Sequence, residues 1–318
     1  MFAVYASHPS PQDPFAALVV GERPDPTPAE GWVKIQVQAA SINHHDLWTL
    51  RGVGIAADAF PMILGCDAAG VDEDGRDVVV HSVIGSGVDE TLDPARTLLS
   101  ERHQGTFADY VVVPARNVLP RPAGITAAEA ACLPTAWLTA YRMLVTRGRL
   151  QQGETILVQG VGGGVSTALI MLGNALGLRV WATTRDEAKG ERALAVGADA
   201  VFASGARLPE RVEAVMETVG AATWEHSIKS LVPGGRIVIS GATTGPNPPA
   251  DLTRIFFKQL SVIGSTMGTR DELAALMDLC LTTGLRPLID EVLPMTSAPQ
   301  ALARVAAGDV FGKVVLTR

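Results

Sequence analysis

The segment Thr155-Ile-Leu-Val-Gln-Gly-Val-Gly-Gly-Gly-Val-Ser166 constrains this chain more than any other. An apolar, β-favouring run enters a cluster of glycines. Beyond it Val165, Ala168, Leu169, Leu172 and Leu176 recur at the 3.6-residue spacing of a helix. A strand that turns through glycine directly into a helix presents unpaired N–H groups at a positive dipole end, and glycine lets an anion approach the backbone. That arrangement suits the pyrophosphate of a dinucleotide. The spacing departs from a strict G-x-G-x-x-G: Gly160 and Gly162 hold the first two places and Val165 the third. A purely structural turn between a buried strand and a buried helix therefore stays open at this point.

The surroundings decide in favour of a sheet. Strands are expected at 155–159, 179–184, 200–202, 214–218, 236–240 and 261–264, with helices at 163–176, 186–196 and 223–231 between them. Such alternation implies a parallel sheet with helices on both faces. The first 120 or so residues read differently. Val33, Ile35, Val37 and Ala39 alternate with Lys34, Gln36 and Gln38, and 77–84 and 107–113 are valine-rich and bounded by Gly or Pro. A small barrel or sandwich is expected there. A helical stretch at 127–147, interrupted at Pro134, leads into the alternating region; a helix at 270–283 and a closing strand near 313–316 follow it.

Composition narrows the partners. Of 318 residues 47% are hydrophobic and 19% charged, which excludes a disordered chain. The formal charge is −7 with no dense Lys/Arg run, so nucleic acid is not an expected partner. Cys66, Cys132 and Cys280 are odd in number and far apart, and support neither a disulfide framework nor a four-thiolate zinc site. The uncharged run 155–178 is long enough to span a bilayer, but its glycines, Gln159 and Asn174 favour a strand, a turn and a buried helix. The opening residues 1–14 have no basic start and no apolar run. The expectation is a cytoplasmic, membrane-free protein acting on a small molecule.

At the end of the second strand of the alternating region, an acidic residue would suit the ribose of NAD. The chain instead reads Ala182-Thr183-Thr184-Arg185-Asp186-Glu187-Ala188-Lys189. Arg185 and Lys189 can each bond a 2′-phosphate, with Thr184 beside them, and NADP(H) is expected over NAD. The alternative for these residues is a solvated helix start.

Taken together, several segments resemble the medium-chain dehydrogenase/reductase superfamily, and within it the zinc-free quinone oxidoreductase and alkenal (enone) reductase branch. They are Ser41-Ile-Asn-His-His-Asp-Leu-Trp48, Pro61-Met-Ile-Leu-Gly-Cys-Asp-Ala-Ala-Gly70, Gly105-Thr-Phe-Ala-Asp-Tyr-Val-Val-Val-Pro114 and Leu133-Pro-Thr-Ala-Trp-Leu-Thr-Ala-Tyr141, with the glycine turn, Gly197-Ala-Asp199 and Phe311-Gly-Lys-Val-Val315. The resemblance implies an α/β chain in which a doubly wound parallel Rossmann sheet is inserted into a GroES-like β-barrel domain. Residues 1–123 and 266–318 would form the barrel domain and 124–265 the NADP-binding domain. It also implies a homodimer paired through the strand at 260–264.

The resemblance assigns roles residue by residue. Catalytic zinc in related alcohol dehydrogenases is held at positions that correspond to Asn43, Cys66 and Thr135, which offer one thiol where three donors are needed. No metal is expected. His44 and His45, read as neighbours on an extended segment, point to opposite sides and suggest a structural role. Asn43 would hydrogen-bond cofactor or substrate, and Trp48 would wall the substrate pocket or pack in the core. For the cofactor, Thr139 would bond the carboxamide, while Gly160, Gly163, Gly164 and Val165 hold the pyrophosphate. Gly241 and Ala242 would lie along the nicotinamide ribose, Ser265 and Met267 near the nicotinamide, and Lys313 at the cofactor edge. Ser166 stands at the family's third glycine, which would set helix and strand further apart. Ser204 stands near a Tyr that some NADPH-dependent relatives carry.

Without a metal, the chemistry implied is hydride transfer from NADPH to an already electrophilic acceptor, a quinone or an α,β-unsaturated carbonyl. Two rival readings stay in view: a non-catalytic NADPH-binding protein and a zinc-type alcohol dehydrogenase.

Overall fold

The structure is a computed structural model that describes all residues from Met1 to Arg318. The chain divides into two compact units, Met1–Leu138 with Met267–Arg318, and Thr139–Thr266. The first division falls within a helical stretch, later than the expected 123/124. Residues Leu133–Trp137 pack on the helix Arg270–Thr283, and so stay with the first unit.

The second unit is built on six strands: β1 (Thr155–Val158), β2 (Arg179–Thr184), β3 (Ala200–Ala203), β4 (Val212–Glu217), β5 (Leu231–Ile239) and β6 (Ser261–Gly264). They form one parallel sheet in the order β3-β2-β1-β4-β5-β6. The order reverses beside β1, the place where open sheets of this kind take ligands. Helices α1 (Gly164–Ala175), α2 (Glu187–Ala195) and α3 (Trp224–Ser230) form three of the crossovers. Leu157, Val215, Ile237, Trp224 and Ile228 lie in its core. The apolarity of 155–178 thus belongs to a buried strand and a 12-residue helix, and no helix of the chain is long and apolar enough to cross a membrane.

In the first unit a seven-stranded sheet centres on Trp32–Ser41. That strand pairs antiparallel with Tyr110–Pro114 along its first half, and with Asp67–Val71 and Lys313–Thr317 along its second. Glycine is required at position 70: a Cβ there would stand 2.0 Å from the Gln36 carbonyl oxygen, beside the register shift at Val37/Ala39. The strand expected at 77–84 is broken at His81–Ser82, where Ser82 Oγ turns inward to the Cys66 carbonyl at 2.8 Å. Val4, Ile35, Leu50, Phe107, Leu302 and Leu316 fill the core. The fold is therefore a doubly wound parallel α/β sheet inserted in sequence into a β-barrel unit.

Candidate cofactor and barrel sites

Gly160 and Gly162 both adopt positive φ, 74° and 114°, which an L side chain resists. Gly163 then takes an extended conformation as N-cap, and α1 starts at Gly164 with no side chain capping it. Its first-turn amides, including that of Val165, are left for another acceptor. Ser166 does not hold the helix off the sheet as expected. Its hydroxyl donates to the Gly163 carbonyl at 3.0 Å, and close packing is made at Gly173, where a Cβ would lie 2.9 Å from Val180 Cγ2.

The turn is held from beneath by buried polar groups that sequence reasoning did not single out. Thr183 Oγ1 accepts the Gly160 amide at 3.1 Å and donates to Gln159 Oε1 at 2.8 Å. Gln159 Nε2 donates to Ser227 Oγ at 3.0 Å, and Ser227 Oγ donates to Glu217 Oε2 at 2.6 Å. Glu217 also accepts the amides of Val219 and Gly220 at 2.8 and 3.0 Å, so one fully buried carboxylate shapes the loop after β4 as well. The signal was present as polar residues ending apolar strands, Gln159 after β1 and Glu217 in β4.

Beside the turn is a cavity of about 350 Å³ that brings Gly160, Thr184, Arg185, Lys189 and Ser204 together. Thr184 Oγ1 accepts the Asp186 amide, and Asp186 caps α2 through the Lys189 amide. Arg185 is exposed at the rim. Thr139 is buried in its helix; Gly241 and Ala242 follow β5, and a Cβ on Gly241 would stand 3.0 Å from the Thr218 carbonyl. Ser265 extends β6 through its amide bond to Ile239, and its hydroxyl is buried without a partner. An unpaired buried hydroxyl, uncapped helix amides and a rim arginine fit a phosphorylated dinucleotide. Met267, with φ 46°, opens the return to the first unit.

In the barrel unit the histidine pair corrects the sequence reading. His44 and His45 lie in the first turn of a helix, His44–Arg51, not on an extended segment. Asp46 starts that helix by accepting the Asn43 amide at 2.8 Å, and it accepts the Gly65 amide at 2.9 Å. His45 Nδ1 is 3.0 Å from Cys66 Sγ and its Nε2 is 3.1 Å from Glu101 Oε1. Trp48 is on the same helix, 39% exposed, with the Arg51 guanidinium over its ring.

Asn43 is engaged on all sides. Its Nδ2 donates to Asp67 Oδ2 at 2.8 Å and its Oδ1 accepts from Lys313 Nζ at 2.6 Å. Lys313 also donates to the Ile42 carbonyl at 2.6 Å and is 2% exposed, so it points into the barrel unit. Asp67 further accepts Ser41 Oγ, Ser82 Oγ and Thr135 Oγ1. The three positions tested for zinc do not fit it. Asn43 and Thr135 are committed to Lys313 and Asp67, and burial holds the Cys66 thiol well above its ordinary range, against the thiolate a metal needs.

Comparison with known proteins agrees with this architecture. Residues 29–123 match the alcohol dehydrogenase GroES-like domain family and residues 164–282 the zinc-binding dehydrogenase family. The acryloyl-coenzyme A reductase of Metallosphaera sedula is 28% identical, over 94% of this chain and 96% of its own length. The quinone oxidoreductase of Mus musculus is 26% identical, over 92% and 90%. A crystal structure of an NAD-dependent alcohol dehydrogenase is 32% identical, covers 100% of both chains and superposes with a TM-score of 0.91. With the barrel unit, the inserted doubly wound sheet and its glycine turn, these similarities establish that the chain belongs to the medium-chain dehydrogenase/reductase superfamily of oxidoreductases.

Proposed function

We propose that this oxidoreductase uses NADP(H) and transfers hydride, without a bound metal, to a quinone or an α,β-unsaturated carbonyl. The observation that carries the cofactor reading is the cavity beside the glycine turn: Arg185 and Lys189 line it just after β2, and the acid between them, Asp186, accepts the Lys189 amide as the cap of α2. The amides of Gly163, Gly164 and Val165 would hold the pyrophosphate, and Arg185 with Lys189 the 2′-phosphate. Bound there, the cofactor supplies the hydride.

Two considerations support an activated acceptor. Two of the three positions that would ligate zinc, Asn43 and Thr135, are committed to hydrogen bonds with Lys313 and Asp67, which argues against a metal that polarises an alcohol. A conjugated carbonyl needs none, because its own oxygen takes up the developing charge. The similarity to proteins named acryloyl-coenzyme A reductase and quinone oxidoreductase points the same way, and extends the carbonyl class to 2-enoyl thioesters. We also read the protein as a cytoplasmic homodimer. Its three cysteines are free and buried, and β6 ends the sheet with one edge unpaired beside the exposed Leu252, Phe256 and Phe257.

The test is NADPH oxidation by purified, metal-analysed protein with quinones, 2-alkenals, 2-enoyl thioesters and simple aldehydes. Turnover of conjugated acceptors by zinc-free protein is expected. Stoichiometric zinc with aldehyde reduction would replace this reading by an alcohol dehydrogenase, and NADPH binding without turnover would make the protein a cofactor binder.

A further inference from the structure

The barrel unit holds a group of side chains with metal-ligating chemistry. One ligand atom from each of His45, Asp46 and Cys66 lies within 4.8 Å of the others. Next to them is a cation that belongs to the chain. Lys313 opens the closing strand, yet its ammonium is enclosed by the Ile42 carbonyl and Asn43 Oδ1, both at 2.6 Å, with Asp67 Oδ2 at 3.8 Å. A carbonyl, an amide oxygen and a carboxylate form the kind of oxygen shell a hard cation attracts. An ammonium is rarely enclosed this fully without an acidic partner, and Asp67 and Asp46 are both entirely buried beside it.

We propose that Lys313 is the resident cation of this cluster, compensating the buried Asp67 and holding Asn43 by its amide oxygen, so that the side chains around Cys66 remain without a metal. The charge arithmetic follows from the residues. A divalent ion entering beside Cys66 would meet the fixed positive charge of an ammonium already held by the Ile42 carbonyl, Asn43 Oδ1 and Asp67. Removing the Lys313 charge while keeping its volume leaves Asp67 uncompensated, while a thiol, an imidazole and a second carboxylate, those of Cys66, His45 and Asp46, stay within 4.8 Å of one another. That set suits a borderline-soft divalent ion such as zinc or cobalt. Lys313 thereby acts as the residue that specifies metal exclusion. The inference rests on the metal-free part of the proposed function: a metal in the wild-type chain would overturn both, whereas a folded, charge-free variant that binds no more metal than wild type overturns this inference alone.

The experiment is titration of the full-length protein with cobalt(II), whose thiolate bond gives a sulfur-to-metal charge-transfer absorption. Wild type and Lys313→Arg are expected to show none. Lys313→Met is expected to bind one cobalt per chain roughly 100-fold more tightly than wild type, with an absorption that disappears in Lys313→Met/Cys66→Ser. Lys313→Gln, neutral and polar, serves if the methionine variant does not fold. One cobalt or zinc per wild-type chain with a thiolate band would overturn the proposal. So would a folded, charge-free variant that binds metal no more tightly than wild type.

Discussion

Thr183 Oγ1 accepts the amide of Gly160 and gives its own proton to Gln159, so the first residue of the glycine turn hangs on a side chain from the neighbouring strand. Thr183→Val keeps the shape and removes both bonds. An unpaired amide and an unpaired carboxamide oxygen cost about 1–3 kcal/mol each in a buried site. The variant, which orphans both, is expected to lose about 2–6 kcal/mol of stability and to bind NADPH about tenfold more weakly. Thr183→Ser should recover most of both. Denaturant midpoints and calorimetric titration make the comparison; unchanged affinity in the valine variant would disconnect the relay from the turn.

Gly173 tests the packing of α1. Helix propensity alone makes Gly→Ala stabilising by about 1 kcal/mol. Here the added methyl would stand 2.9 Å from Val180 Cγ2 and 3.2 Å from Ile156 Cδ1, inside the strand–helix contact. Overpacking of a core costs about 1–3 kcal/mol, so Gly173→Ala should be net destabilising by about 1 kcal/mol. Urea unfolding measures it, and a gain in stability would show that the helix can move off the sheet freely.

The sequence made the sheet unit legible because its signals are local. The strands Arg179–Thr184 and Ser261–Gly264 and the helix Arg270–Thr283 appear with the boundaries that periodicity and capping predict. The barrel cluster was not legible in the same way. Lys313 meets Asn43 across 270 residues and Thr135 meets Asp67 across 68, and no spacing rule reaches over such distances. Reading Lys313 by resemblance placed it at a cofactor edge, whereas the structure turns its side chain inward toward Asp67. The helix at His44 was legible in principle, since Asn43-His-His-Asp46 carries an acid at the third helical position.

Arg185 separates the two nicotinamide cofactors. It is exposed at the cavity rim and no acidic side chain pairs with it. A charge-assisted bond to a 2′-phosphate contributes about 1.5–3 kcal/mol, so Arg185→Ala should raise the NADPH dissociation constant roughly 10- to 100-fold. NADH has no such phosphate, and its binding should change by less than about twofold. Fluorescence titration with both cofactors gives the ratio; equal losses would remove the phosphate role.

The unpaired edge of β6 and the stacked Phe256 and Phe257, 63% and 75% exposed, give the dimer reading a direct test. Light scattering should find wild type at twice the chain mass. Val262→Arg, which places charge on the exposed edge strand, should be monomeric with an unchanged circular dichroism spectrum. A monomeric wild type would set the dimer aside.

Asp46 gives the fold a pH dependence whose sign is fixed by burial. Desolvation pushes its carboxyl up to about 6, only partly offset by the Asn43 and Gly65 amides and the nearby His45 and Lys313. The unfolded chain releases the same proton near pH 4. Between these values the folded state binds more protons than the unfolded state, so stability falls as pH rises through the window and stays at the lower level above it. Asp46→Asn cannot ionise and lacks this component, although it keeps only one of the two amide bonds. From pH 4.5 to 7, wild type should lose about 2 kcal/mol relative to the variant, at about 1.4 kcal/mol per pH unit. Urea midpoints at several pH values measure the difference. Parallel curves for the two proteins would mean that water reaches this carboxylate and that the start of the helix at His44 is not sealed from solvent.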